Sequence, residues 1–156
     1  MDKALIIYST RTGTTEIMAV AIRVGLKEAG VEVTVKNLEK AKKNDLTKAD
    51  TIVLGCPTYY DDLLPSMKSF LFDIRKLNLK GKIGAAFGPY SWSGESVQML
   101  TDTMKHVFEM NVIEPGLKLL QRPERSDIEA CVEFGRKIAA KIKEVKSGPE
   151  AKVSIG

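Results

Sequence analysis

Three unbroken apolar runs decide what this chain can become. Ala4-Leu5-Ile6-Ile7, Thr51-Ile52-Val53-Leu54-Gly55 and Lys82-Ile83-Gly84-Ala85-Ala86-Phe87 each lead into a loop and then into a segment with helical spacing. A strand that is apolar at every position is covered on both faces, as in a parallel sheet with helices on either side. The helical segments complete the alternation. Ile17, Val20, Ala21 and Val24 share one face over 14–29, with Gly30 as the stop. Met67, Phe70, Leu71, Ile74 and Leu77 keep helical spacing after Pro65, a good first helical residue, until Gly81. Val97, Leu100, Met104 and Val107 mark a third helix. Ser126-Asp127-Ile128-Glu129 reads as a capping box opening the last one, along which Ile128, Cys131, Val132, Ile138, Ala139, Ile142 and Val145 line up.

Two more strands have a different character. Residues 31–36 alternate strictly between apolar and polar, and residues 112–120 are interrupted by Pro115-Gly116, so both suit sheet edges. Between them, 37–50 is polar and lysine-rich, with at most a weak helix. Three interior and two edge strands predict an α/β chain with a three-layer, doubly wound fold, its five-stranded parallel sheet in the order 2-1-3-4-5. In that order the ligand crevice lies outside the carboxyl ends of strands 1 and 3. The turn after the first strand and the loops at 56–62 and 88–94 all emerge there.

The first of these, Tyr8-Ser9-Thr10-Arg11-Thr12-Gly13-Thr14-Thr15-Glu16, runs from strand to helix through a string of hydroxyls. Unpaired N–H groups at a helix start favour an anion, and threonine hydroxyls add donors. Taken alone, the turn reads equally as a phosphate seat or as ordinary helix capping. It is neither G-x-x-x-x-G-K-[ST] nor G-x-G-x-x-G, so a nucleoside triphosphate or a dinucleotide is not indicated. Without a loop lysine, it suits a monophosphate that stays bound. The other two loops carry Tyr59, Tyr60, Tyr90 and Trp92, four of the ten aromatics and the only tryptophan. Aromatic faces in a crevice suit a flat conjugated ring. A phosphate at one end and a flat ring at the other describe FMN.

The remaining composition narrows the class. At 156 residues and 44% hydrophobic, one domain over 1–146 is expected, with 147–156 as a flexible tail. No signal peptide and no run near the roughly 20 apolar residues of a membrane span is present, so a cytoplasmic location and no membrane association are expected. Cys56 and Cys131 belong to no metal-spaced cluster and read as buried fillers. The net charge of +4 is spread out, and the lysines at 40–43 and 137–146 read as solvated helix faces, without the aromatic interleaving that nucleic-acid binding would add.

Here the motifs acquire a family. Thr10-Arg11-Thr12-Gly13-Thr14-Thr15 resembles the flavodoxin phosphate motif T-x-T-G-N-T, with Thr14 where asparagine is usual. Gly55-Cys56-Pro57-Thr58-Tyr59 is similar to the flavodoxin loop whose aromatic stacks on the flavin. Gly88-Pro89-Tyr90-Ser91-Trp92-Ser93-Gly94-Glu95, with Glu114-Pro115-Gly116-Leu117 and Arg122-Pro123, most resembles the flavodoxin domain of flavodiiron (A-type flavoprotein) proteins. The resemblance runs from about residue 3 to 145. It implies FMN held noncovalently, with the phosphate on Thr10, Arg11, Thr12, Gly13, Thr14 and Thr15. The isoalloxazine would lie between Pro57, Thr58, Tyr59, Tyr60 and Asp61 on one side and Gly88, Tyr90, Ser91, Trp92, Ser93 and Gly94 on the other, with Trp92 and Tyr59 against the ring. The iron ligands of the flavodiiron partner domain are not expected in a chain whose one histidine, His106, sits mid-helix.

Many flavodoxins have glycine after the stacking aromatic, where a peptide turns over to meet the reduced flavin. Tyr60 stands there, so the turnover should be harder and the half-reduced flavin less favoured. Asp61 and Asp62 near the ring would lower its potential, while Arg11, beside the phosphate, would oppose them weakly. The expected activity is that of an electron carrier passing low-potential electrons between redox proteins, acidic ones being favoured by the positive charge. An FMN-dependent NAD(P)H:quinone or acceptor oxidoreductase is the alternative, and a non-redox binding module on the same fold is a third.

Overall fold

The computed structural model describes residues 2–91, 93–121 and 123–147. Strands β1 (Lys3–Tyr8), β2 (Glu32–Asn37), β3 (Thr51–Gly55), β4 (Ile83–Tyr90), β5 (Asn111–Val112) and β6 (Leu117–Leu120) form one parallel sheet. Helices α1 (Thr14–Glu28), α2 (Lys43–Lys48), α3 (Pro65–Ile74), α4 (Glu95–Asp102) and α5 (Arg125–Lys146) connect and cover it. The order is β2-β1-β3-β4-β5, with β6 also on β4, so the last sheet position is filled by two short segments of one broken strand. Ile83 and Gly84 pair with Asn111 and Val112, and Phe87 to Tyr90 pair with Leu117 to Leu120. Between the paired stretches the edge chain is two residues longer than β4, and the exposed Glu114-Pro115 takes up the excess while Gly116 lies against the Ala86 carbonyl.

Alternate side chains of the interior strands feed two cores, which is why those strands are apolar throughout. Ile6, Val53, Ala85 and Phe87 pack under α1 and α5, while Leu5, Ile7, Ile52, Leu54 and Ala86 pack under α3 and α4. Helix α1 departs from the simple reading of its spacing. Met18, Ala19, Ile22 and Leu26 are buried, as is Ala21 of the face read from the sequence, whereas Ile17, Val20 and Val24 are 49%, 38% and 43% exposed. Apolar residues follow helical spacing on both stripes, and glycine selects between them. A Cβ on Gly25 would stand 2.0 Å from the Val132 carbonyl oxygen, and one on Gly135 2.2 Å from that of Ile22. The two helices therefore meet backbone to backbone, and only the Gly25 side of α1 can face α5 and the sheet.

Several boundaries move. Helix α3 stops at Ile74 rather than near Gly81, leaving Leu77 in a turn on the Ile74 carbonyl. Strand β4 continues through Gly88-Pro89-Tyr90, which sequence reading places in the exit loop, because β6 arrives to pair with it. The cap of α5 lies two residues early: the Asp127 carboxylate accepts from the Glu124 N–H at 2.8 Å, and Ser126 is already helical. Val145, at the far end of α5, is exposed. Near that end Lys146 pairs with Asp2 at 2.8 Å, joining the last helix to the approach of β1.

Candidate functional site

The two ends of the candidate site are built differently. At the first, Gly13 takes φ +96° and starts α1, a backbone that a side chain would strain. The Thr10 hydroxyl oxygen accepts from the Gly13 N–H at 2.9 Å, which leaves the Thr10 proton free to donate elsewhere. Thr14 donates to the Gln121 carbonyl at 3.2 Å, so this hydroxyl is turned toward the protein. The Gln121 amide donates to the Thr12 oxygen at 2.9 Å, leaving the Thr12 proton free as well. Gln121, just past β6, is thus a second layer behind the threonine turn. Nothing local in the sequence announces it, because it is more than a hundred residues away.

Thr15 decides what this turn is for. It is 1% exposed, and its hydroxyl meets no partner among the described residues. A buried unsatisfied hydroxyl at the start of a 15-residue helix is unfavourable unless an acceptor comes to it. Ordinary capping is excluded in its usual form, since no side chain caps α1.

At the second end, the loops after β3 and β4 are stitched into one wall. Thr58 donates to Ser96 Oγ at 3.0 Å and accepts from the Ser96 N–H at 3.1 Å, while Ser96 Oγ donates to the Cys56 carbonyl at 2.8 Å. Thr58 therefore positions the loop and has little left for a ligand. Ser96, fully buried, is a supporting residue that sequence reading missed. Pro57 is buried beneath the loop, and Gly88 lets the strands approach, a Cβ there falling 2.1 Å from the Cys56 oxygen. Burial pushes the Cys56 thiol up, which suits an inert filler.

The loop crest is a two-residue hairpin. Tyr59 N–H donates to Asp62 O at 2.8 Å, and Asp62 N–H to Tyr59 O at 3.1 Å. Tyr60 and Asp61 have φ +49° and +60°, the pair of positive values that marks a type I′ turn. Neither is the asparagine or glycine such turns prefer. Replacing Asp61 by glycine should therefore stabilise the fold by about 1 kcal/mol in urea denaturation; a loss of stability would show that the Asp61 contacts outweigh the strain. Ser93 donates to Asp61 at 3.2 Å, and Asp62 is held by Lys68, which lowers its pKa. Among the described residues, Asp61 is thus the crest carboxylate without an ion pair.

Sequence reading sets Arg11 beside the phosphate, and the structure adds a contact that it did not anticipate. The Arg11 guanidinium lies 4.4 Å from the centroid of the Tyr59 ring, at the aromatic end, while Tyr60 meets the same ring edge-on at 4.5 Å. Arg11, Thr58, Tyr59, Tyr60, Asp61, Ser91 and Ser93 line a cavity of about 390 Å³ between the loops. Gly94 starts α4 under the stem of Lys118, and Tyr90 ends β4 half-buried. Trp92 lies outside the described residues, as does Arg122. His106 is exposed, and among the described residues no three His, Cys, Asp or Glu side chains gather as a metal site.

A sheet of this order with these loops at its carboxyl edge has known counterparts. The flavodoxin family model matches residues 6–135. The chain belongs to the flavodoxin family. It is 36% identical to an archaeal flavodoxin, with a TM-score of 0.87 over 91% of this chain and 99% of that one. Over 144 residues it is 38% identical to a nitric oxide reductase of Moorella thermoacetica, covering 90% of this chain and 36% of that protein. Over 140 residues it is 35% identical to a type A flavoprotein of Rhodobacter capsulatus, covering 86% and 32%. The flavodoxin-like chain thus spans about a third of the length of these curated relatives, and its cofactor is FMN. The donor set fits that group: an orphaned hydroxyl and free helix N–H groups suit its phosphate, and the aromatic-walled cavity suits its ring.

Proposed function

We propose that this flavodoxin-family chain carries low-potential electrons between redox proteins on a tightly held FMN. The carrying observation is the unpartnered buried hydroxyl of Thr15 at the helix start, on the same sheet edge as the Tyr59-lined cavity. Bound there, FMN supplies reversible one- and two-electron transfer. The chain's own residues bind and orient: Thr10, Thr12 and Thr15 offer protons to the phosphate, Gln121 fixes the direction of the Thr12 hydroxyl, and Tyr59 walls the ring. Tyr60, 85% exposed, leaves the aromatic end open to a partner. The net charge of +4 favours acidic partners, so electron-transfer rates should fall as salt is raised.

The test is to reduce the FMN-loaded protein with a catalytic amount of a reductase and follow electrons into a second redox protein. Transfer that slows with salt supports the carrier. Sustained NAD(P)H oxidation by the purified protein alone, with a quinone as acceptor, would replace it with the reductase.

Two residues tune the ring end in this reading. Arg11 places a cation in the ring cavity, so Arg11→Gln should lower the flavin's potential. About 1 kcal/mol of charge stabilisation corresponds to roughly 40 mV for a one-electron step. Affinity for FMN and for riboflavin should fall together if Arg11 acts from its place over Tyr59; a loss confined to FMN would assign it to the phosphate. Turning over the Tyr60–Asp61 peptide would convert type I′ to type II′, which wants glycine at the first central position. Tyr60→Gly should therefore change the separation of the two one-electron potentials, which a redox titration reads directly. An unchanged separation would show that the turn does not govern it.

A further inference from the structure

Beyond its first turn the outer face of α1 lies outside the FMN site, although the groove along it begins at Gly13. Ile17, Val20 and Val24, with Ile128 and Val132 of α5, line an open apolar groove of about 550 Å³. Their spacing of three and four residues makes one stripe along the helix. The stripe is not needed for folding, because α1 is anchored through Met18, Ile22, Gly25 and Leu26 on its other side. A contiguous apolar surface of this kind marks an interaction site.

The charges beside the stripe indicate what covers it. At 3.6 residues per turn, Glu16, Arg23 and Lys27 fall on one flank, and Glu28 falls on the other, toward α5. Glu28 is already paired with Arg136 at 2.9 Å. Glu16, Arg23 and Lys27 make no ion pair among the described residues. The acid lies toward the N-terminal end of the stripe and the two bases toward its C-terminal end. Such a polarity complements itself when reversed.

We propose that a second copy of this chain covers the stripe, with the two α1 helices antiparallel across a two-fold axis at Val20. With a rise of 1.5 Å per residue, Glu16 stands about 6 Å from the axis. Arg23 and Lys27 of the second copy stand about 4.5 and 10.5 Å from it on that same side, bracketing Glu16. Ile17 then meets Val24 of the copy, and Val20 meets itself. A two-fold operation keeps each flank on its own side, so the charged flanks face each other and the α5 edges extend the apolar contact. Parallel helices, related by an axis along their length, would instead put the charged flanks on opposite sides of the contact, where Glu16 meets no base of the copy. The apolar stripe supplies the affinity, and the rim charges set the direction.

Sedimentation equilibrium of the full chain from micromolar to millimolar concentration tests this. The expected result is a reversible monomer–dimer equilibrium. Val20→Glu should raise its dissociation constant about 100-fold, because two carboxylates then meet on the axis. Circular dichroism should stay unchanged, as should the Tm read at concentrations where the parent is monomeric, since Val20 lies outside the core. Glu16→Lys should weaken the dimer about 5-fold, and adding Arg23→Glu and Lys27→Glu should restore it by reversing the polarity on both sides. A monomer at every concentration would overturn the proposal and leave the stripe to a different protein. So would a Val20→Glu chain that associates like the parent, or a triple variant weaker than Glu16→Lys alone.

Discussion

Gly88→Ala is expected to destabilise the apoprotein by about 3 kcal/mol, at the upper end of what forced overpacking costs. The new methyl would stand 2.1 Å from the Cys56 carbonyl oxygen and 3.3 Å from Ser96 Oγ. The first is backbone one residue past β3, tied to β4 by the Cys56 N–H donating to the Phe87 carbonyl at 3.1 Å, so it yields only if that junction parts. That same carbonyl accepts from Ser96, which also holds Thr58, and the whole ring-side wall depends on this chain of bonds. FMN affinity should therefore fall along with stability, although Gly88 need not touch the cofactor. Urea denaturation of the apoprotein, followed by FMN titration of the variant, measures both. A stability change under about 1 kcal/mol would mean that the strand junction is softer than its geometry indicates.

Thr15→Val separates folding from binding, and its two effects have opposite signs. The substitution keeps the shape and removes a buried hydroxyl that has no partner among the described residues. The apoprotein should be as stable as the parent or slightly more so, because the hydroxyl's desolvation is no longer uncompensated. FMN should bind about 30-fold more weakly, the loss of one hydrogen bond to a charged group. Riboflavin, which lacks the phosphate, should bind as before. Equal losses for FMN and riboflavin would show that Thr15 serves something other than the phosphate. Unchanged FMN affinity would remove it from the site.

The frame of the molecule was legible because each interior strand is buried on both faces, and that burial leaves an unmistakable trace at 4–7, 51–55 and 83–87. The Thr10–Thr15 turn and the Tyr59–Asp61 loop were legible because turn chemistry is local. What escaped depends on distant neighbours. Periodicity alone could not say which stripe of α1 is buried, since both follow helical spacing and Gly135 makes the choice. The extension of β4 to Tyr90 requires β6, thirty residues on. Gln121 and Ser96 are ordinary polar residues in the sequence, and their importance comes from the Thr12 and Thr58 hydroxyls they meet. The contact between the Arg11 guanidinium and the Tyr59 face is likewise brought about only by folding, and adjacency to the phosphate turn does not announce it.

The ion pair between Asp2 and Lys146 has a practical consequence. It lies where β1 begins, a full strand length from the loops that gather the cofactor. Polypeptide grafted before the first strand or after the last helix would hang from the floor of the domain and leave its roof clear. Joining those neighbouring points by a short linker and cutting the chain at the exposed turn around 41–42 should give a permuted protein that still takes up its yellow cofactor.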